Sequence, residues 1–293
     1  MDLYMNKHSD AAYHHGISAA LKDKEFNRFS SFIYDEVGIK LPPAKKIMLE
    51  ARLQKRLKAL KLHSFEEYAD YVFTSEGRAD ELIHLIDVVT TNKTDFFREP
   101  AHFEYLVKTA IPTLIEKRGV GTKSPFKIWS AGCSTGEEPY TMAMVLAEFA
   151  AGRAGFQSSI LATDISTAVL STASTAIYPE DRVDTIALNL KKKYLLKSKD
   201  KSKGLVRMIP RLRSMIQFRR VNFMEDFAMS DQMDVIFCRN VIIYFDKPTQ
   251  EQLLNKFCRQ LVPGGYLFLG HSETLNGLDV PLTPVASTVY CNL

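Results

Sequence analysis

The stretch that most constrains this chain is Ile128 to Tyr140, Ile-Trp-Ser-Ala-Gly-Cys-Ser-Thr-Gly-Glu-Glu-Pro-Tyr. An apolar run (Phe126, Ile128, Trp129) breaks into small residues from Ser130 to Gly136, and an amphipathic segment from Glu138 to Phe149 follows. That order predicts a strand, a tight turn and a helix. Small residues let the backbone approach a ligand, and a helix start offers unpaired N–H groups and a positive dipole end. The turn lacks the G-x-G-x-x-G spacing of a dinucleotide loop, having only Gly132 and Gly136, and two carboxylates follow at Glu137 and Glu138. Those acids repel a pyrophosphate and welcome an ammonium group. The ligand inferred is a cationic or zwitterionic nucleoside, a description that S-adenosylmethionine (SAM) meets. A plain βα connection is the competing reading of the turn.

The rest of the C-terminal half supports a nucleotide-type sheet. Candidate strands at Phe126–Ser130, Ser159–Thr163, Ile216–Val221, Met233–Cys238 and Gly265–Leu269 alternate with helices at Glu138–Phe149, Ser166–Ser174 and Thr249–Leu261. Alternation of this kind predicts a parallel sheet wrapped by helices, with ligands at the carboxyl ends of the strands. The run from Thr288 to Leu293 reads as a final antiparallel strand. The second strand ends in Asp164, placed either to accept from ribose hydroxyls or to cap the next helix. Polar residues also mark the end of the third strand (Asn222, followed by Phe223) and of the fourth (Arg239, Asn240), where a ligand is one plausible partner, since an unpaired buried polar group costs about 1–3 kcal/mol.

The first quarter is different. After a loose tail expected over residues 1–21, helical spacing predicts helices over Glu25–Val37, Pro43–Leu62, Ser64–Ser75 and Arg78–Val89, an all-helical domain over residues 22–89. The second helix places Leu49, Leu53, Leu57 and Leu60 on one face. From Lys40 to Lys61 there are eight basic residues and one acid, Glu50. Arg52, Lys55, Arg56 and Lys58 lie along the flank and back of the apolar stripe, either as a solvated face or as a docking surface for an acidic partner. Residues 90–124 form a linker and a helix, Ala101–Lys117, leading into the α/β domain of residues 125–293. Within that domain an insertion at about 178–215 carries seven lysines between Lys191 and Lys203. It reads as a basic loop or as a small sheet, with short strands near Tyr194–Leu196 and Leu205–Ile209, whose edge could receive a peptide.

Composition narrows the classes. A net charge of +4 over 293 residues is too mild to mark the whole chain as a nucleic-acid binder. The cysteines Cys133, Cys238, Cys258 and Cys291 show no CxxC pairing, and no HExxH or His/Cys cluster appears, so no metal is expected. The N-terminus has no apolar signal core and no stretch approaches 18 apolar residues, so neither export nor membrane insertion is expected, and a reducing cytoplasm is the simplest compartment.

Several motifs together carry a family resemblance. Thr90-Thr91-Asn92 continuing through Phe96-Phe97-Arg98-Glu99, Trp129-Ser130-Ala131 through Ser134-Thr135-Gly136-Glu137-Glu138-Pro139-Tyr140, Ala162-Thr163-Asp164-Ile165, Phe237-Cys238-Arg239-Asn240 with Tyr244-Phe245, and Gly270-His271-Ser272-Glu273 occur in order. The sequence thereby resembles the chemotaxis receptor methyltransferases, the CheR family, from the helical domain to the C-terminus. Gly132-Cys133 departs from the alanines of some relatives but keeps the residues small.

The resemblance implies an α/β, Rossmann-like SAM-dependent methyltransferase sheet with an N-terminal helical domain and a small β insertion. It implies SAM binding by Asn92, Thr94, Arg98, Glu137, Asp164, Asn222, Phe223, Arg239 and Asn240, with S-adenosylhomocysteine as product. It also implies methyl transfer to glutamate carboxylates of methyl-accepting chemotaxis receptors, with Arg98 expected to orient the carboxylate and Tyr244 to face the methyl group. Arg52, Lys55, Arg56 and Lys58 would meet the acidic receptor helical bundle, and the insertion resembles a subdomain that captures a receptor's C-terminal peptide in some relatives. A nucleic-acid methyltransferase, a small-molecule O-methyltransferase and a non-catalytic SAM-responsive module are the competing classes. Arg239-Asn240-Val241-Ile242 lacks the Asn/Asp-Pro-Pro-aromatic strand end usual in the first of these.

Overall fold

The computed structural model describes residues 20–292. Within them the chain divides into two compact units, residues 20–32 with 41–89 and residues 33–40 with 90–292. All but the last two residues of the expected tail lie outside the described residues. Leu21, assigned to that tail, is buried, and its N–H donates to Glu50 Oε2 at 3.0 Å, so the helical unit begins earlier than its sequence suggests.

The helical unit draws on α1 (Asp23–Val37), α2 (Lys46–Leu60), α3 (Phe65–Val72) and α4 (Ser75–Val89). In α2, Leu49, Leu53 and Leu57 are buried as the spacing predicts. Helix α3 is capped by Ser64, whose Oγ accepts from the Glu67 N–H at 3.1 Å, while Glu67 accepts from the His63 N–H at 2.9 Å. That reciprocal pair satisfies donors that a helix start leaves open. Helix α4 starts three residues before the expected Arg78, because Thr74 Oγ1 accepts from the Gly77 N–H at 3.0 Å and caps it. Gly77 suits that first turn because an added Cβ would lie 2.0 Å from the Tyr71 carbonyl oxygen.

Arg56 corrects part of the docking expectation. Its guanidinium grips Glu81 with two bonds, 2.6 and 2.9 Å, and the Tyr68 hydroxyl donates to the same carboxylate at 2.9 Å. Glu81 is only 2% exposed, so Arg56 neutralises a buried acid on α4 and is committed inward. Arg52 likewise donates to the Val89 carbonyl. Lys55 and Lys58 remain on the solvent side. We expect Arg56→Ala to lower stability by about 2 kcal/mol in urea denaturation, whereas Lys55→Ala stays within about 0.5 kcal/mol.

The second unit opens with α5 (Pro100–Tyr105), a π-helical turn (Leu106–Ala110) and α6 (Ile111–Arg118), together covering the single helix expected there. Pro112 has no N–H to continue the α ladder, and the wider turn absorbs that gap. The sheet and its connections follow as β1 (Phe126–Ala131), α7 (Glu137–Ala151), β2 (Ser158–Asp164), α8 (Thr167–Thr175), β3 (Ile177–Pro179), α9 (Leu188–Tyr194), β4 (Leu195–Lys197), β5 (Leu205–Met208), α10 (Pro210–Arg213), β6 (Ile216–Arg220), β7 (Met233–Cys238), α11 (Lys247–Gln260), β8 (Leu261–Leu269), β9 (Thr283–Ala286) and β10 (Val289–Cys291).

The main sheet has seven strands in the order β6-β2-β1-β7-β8-β10-β9. The first five run parallel, and β10 pairs antiparallel with β8 and β9. Because β2 and β7 flank β1, the winding reverses beside β1, which places the ligand crevice at its carboxyl end. Successive residues of β1 feed opposite cores: Ile128 packs with Tyr140, Met144, Phe237 and Phe268, and Trp129 with Ile236, Leu253 and Phe257. The insertion is a separate three-stranded antiparallel sheet, β3-β5-β4, so its basic run is built on an ordered scaffold.

Candidate active site

The turn after β1 is fixed by the neighbouring strand end. Gly132 and Cys133 both donate to the Thr163 carbonyl at 2.8 Å, and the Ser134 N–H donates to Asp164 Oδ2 at 2.8 Å. The other oxygen of Asp164 accepts from the Ser166 N–H at 3.0 Å, and Ser166 itself caps α8. Asp164 therefore braces the turn, and the helix cap, one expected role for it, falls to Ser166 instead. Gly136 has φ +99°, and an added Cβ would lie 2.8 Å from the Tyr178 hydroxyl and 3.0 Å from Ala173 Cβ. Only glycine suits that position.

Glu137 is buried and already engaged. Its oxygens accept from Thr135 Oγ1 at 2.6 Å and from Arg182 Nη2 at 2.8 Å. Arg182 comes from the turn Glu180–Val183 that follows β3 and also donates to the Thr94 carbonyl at 2.7 Å. The insertion thus reaches back to the segment of Thr94. Asn92 presents its carbonyl to Ser134 Oγ at 2.9 Å, and its side chain donates to Thr90 Oγ1 at 3.2 Å.

Arg239, beyond the end of β7, is the electrostatic centre. Its side chain is 2% exposed and pairs with Glu99 at 3.1 Å and Glu138 at 3.2 Å. It also donates to the Arg98 carbonyl. Burial pushes the Glu138 carboxyl up in spite of the guanidinium beside it. Glu99 is pushed up by burial too, but Arg239 and His271 outweigh this and hold it below the usual carboxylate range. Arg98 itself is more open, donating to the Lys93 carbonyl at 3.1 Å.

Asn240 adopts φ +59°, held by Glu273. That buried carboxylate accepts from the N–H groups of Asn240 (2.8 Å), Val241 (2.9 Å), Ile243 (3.3 Å) and Gly270 (2.6 Å). Phe97, Glu99, Ser134 and Asn240 all have positive φ without being glycine, and all belong to these segments. Such strain persists where the surroundings over-determine it, as at ligand sites.

The remaining expected residues are placed less directly. Asn222 bonds the Glu36 carbonyl at 2.8 Å and accepts from the Met224 N–H at 3.1 Å, so it braces the segment after β6. Phe223 packs edge-on against Trp129 and Phe257. Tyr244 closes the short 3-10 turn Ile242–Tyr244 and is half-buried. Arg182 is concealed in the sequence within a lysine-rich insertion, Glu99 and Glu273 stand in family motifs without an expected role, and Glu138, expected to face an ammonium group, pairs instead with the Arg239 guanidinium.

A parallel sheet with this switch point, an antiparallel terminal strand, a glycine turn tied to an acid on β2 and an acid-rich helix start define a SAM-dependent methyltransferase. The family model for the CheR methyltransferase SAM-binding domain matches residues 92–291, and that for the CheR all-alpha domain matches residues 24–90. The chain belongs to the CheR methyltransferase family. A chemotaxis protein methyltransferase of Borreliella burgdorferi is 45% identical over 255 residues, covering 86% of this chain and 89% of that protein. Chemotaxis protein methyltransferase 2 of Pseudomonas aeruginosa is 38% identical, covering 91% and 92%. The chemotaxis protein methyltransferase of Escherichia coli is 37% identical, covering 92% and 91%.

Proposed function

We propose that this methyltransferase esterifies the side-chain carboxylate of specific glutamates on methyl-accepting chemotaxis receptors, releasing S-adenosylhomocysteine, as part of adaptation in bacterial chemotaxis. The observation that carries this reading is the match of both family domains, helical and SAM-binding, along one chain. A small-molecule O-methyltransferase has no use for the helical domain, and the names of the relatives refer to chemotaxis. A cytoplasmic location goes with this reading, and no described helix is long and apolar enough to cross a membrane.

When bound, SAM supplies an electrophilic methyl group on a sulfonium centre. Asp164 and the turn from Gly132 to Gly136 would hold the nucleoside, with Asn92, Thr94, Arg98, Glu137, Asn222, Phe223, Arg239 and Asn240 around it. A glutamate of ordinary pKa, about 4.3, is already ionised at neutral pH, so the chain needs no base. Its task is positioning and water exclusion. Arg98, the more open guanidinium of the site, suits an incoming carboxylate, and Tyr244 is assigned to the methyl side.

For receptor docking, the exposed part of α2 carries Lys55 and Lys58 toward its end and Ile47, which is 82% exposed, at its start. One-signed charge with an apolar side chain on the same helix fits an acidic amphipathic partner. Reversing both charges, Lys55→Glu with Lys58→Glu, is expected to lower kcat/KM for receptor methylation at least tenfold with SAM binding unchanged. The wild-type rate should fall as salt rises. A rate indifferent to both would assign docking elsewhere. Strand β4, at an edge of the small sheet with Leu196 half exposed, is the place we assign to a receptor C-terminal peptide.

A further inference from the structure

Beside Arg239, two lone-pair donors from one helix start meet a third from far along the chain. Glu99, His102 and His271 each bring one ligand atom to a point where all lie within 4.8 Å of one another. His102 Nδ1 is 3.4 Å from Glu99 Oε2, and His271 Nε2 is 3.9 Å from the same oxygen. Tetrahedral bonds of about 2.0–2.1 Å place ligand atoms roughly 3.3 Å apart. The buried pair already has that spacing, and His271, 56% exposed, can rotate to close the rest.

His102 makes the arrangement unusual. Its side chain is 3% exposed, and its Nδ1 is buried with no hydrogen-bond partner. Its other nitrogen lies 2.8 Å from Thr288 Oγ1. A histidine anchored through one nitrogen, with the second bare and facing a carboxylate, is built like a metal ligand whose outer contact fixes the ring. In the tautomer in which Nε2 donates to Thr288 Oγ1, Nδ1 turns a lone pair toward the Glu99 carboxylate, and a cation between the two would satisfy both groups.

We propose that Glu99, His102 and His271 form a binding site for one divalent transition-metal ion of the zinc class, with a fourth position open to water. Two imidazole nitrogens and one carboxylate favour zinc, cobalt or nickel over magnesium or calcium. The ion takes no part in methyl transfer. It shares Glu99 with Arg239, and Arg239 also holds the Arg98 carbonyl, so occupancy weakens the grip on the cofactor-side segment. The nearby guanidiniums of Arg98 and Arg239 moderate the affinity, and the Glu138 carboxylate offsets part of their charge. The site is thus an inhibitory input.

The test uses the full-length chain with tail residues His8, His14 and His15 replaced by glutamine, since those imidazoles would bind metal themselves. Zinc is titrated against a chromophoric chelator, and cobalt is followed by its visible absorption. The expected result is one ion per chain, the intense bands of four-coordinate cobalt, no competition from millimolar magnesium, and SAM affinity that falls as zinc is added. His271→Ala, at an exposed position, should weaken zinc binding about 100-fold or more and remove the zinc effect on SAM. Absence of a one-to-one site, or unchanged affinity in both His271→Ala and His102→Gln, would overturn the assignment.

Discussion

Arg239→Ala is expected to destabilise the protein by about 3–5 kcal/mol, the usual cost of removing one partner from a buried ion pair. In a unit of this size that corresponds to a fall in Tm of roughly 10 °C. The charge that remains is the cause. Glu99 and Glu138 would face each other without the guanidinium, in a place where Arg239 is 2% exposed and water cannot replace it. The ring faces of Phe103 and Phe237 would also lose the cation, which lies 5.5 and 5.8 Å from their centroids. The Arg98 carbonyl loses its donor, so SAM binding should vanish at temperatures where the variant is still folded. Arg239→Lys keeps the charge but not the fork that reaches three acceptors, and should fall between the two. Thermal denaturation with calorimetric SAM titration measures both effects. A variant within about 1 kcal/mol of wild type would show that the network does not bear on stability.

The second large effect is on the cofactor. Asp164→Ala is expected to weaken SAM binding about 100-fold or more, equivalent to about 2.7 kcal/mol. Two things are lost together. The buried N–H groups of Ser134 and Ser166 lose their acceptor, which releases the turn after β1, and the ribose loses the carboxylate proposed for it. Asp164→Asn retains an acceptor oxygen but not the charge, and charge-assisted bonds are roughly twice as strong as neutral ones. It should therefore lose less than the alanine variant. Isothermal titration with SAM and with S-adenosylhomocysteine would read this directly, and equal affinity in wild type and Asp164→Ala would remove Asp164 from the site.

Much of the sheet was legible because its strands are buried on both faces and bounded by glycine or polar residues. Met233–Cys238 matches its expected limits, and β1 and β2 differ by a residue or so at each end. Strands β3 and β9 were not seen: three or four residues are too few to show alternation, and β9 is exposed and contains Pro284. The π-helical turn left no pattern beyond Pro112, and Gly77 hid the true start of α4. At the site, motif residues were legible but their partners were not. Arg182 reaches Glu137 across the insertion, and Glu81 draws Arg56 inward from another helix. Local periodicity marks which side of a helix is polar, whereas only the fold decides which charges meet. His271 makes the same point, since Glu99 and His102 are neighbours by their i, i+3 spacing but nothing in the sequence brings His271 to them.

The most direct test of the proposed function is transfer of a radiolabelled methyl group from SAM to membranes containing methyl-accepting chemotaxis receptors, with receptors carrying Glu-to-Ala changes at the modified sites as control. The expected label is released by mild base as methanol, disappears with those glutamates, and is abolished by Asp164→Ala. Base-stable label, or no label from a chain that demonstrably binds SAM, would contradict glutamate esterification and return the chain to a different substrate or to a binding role.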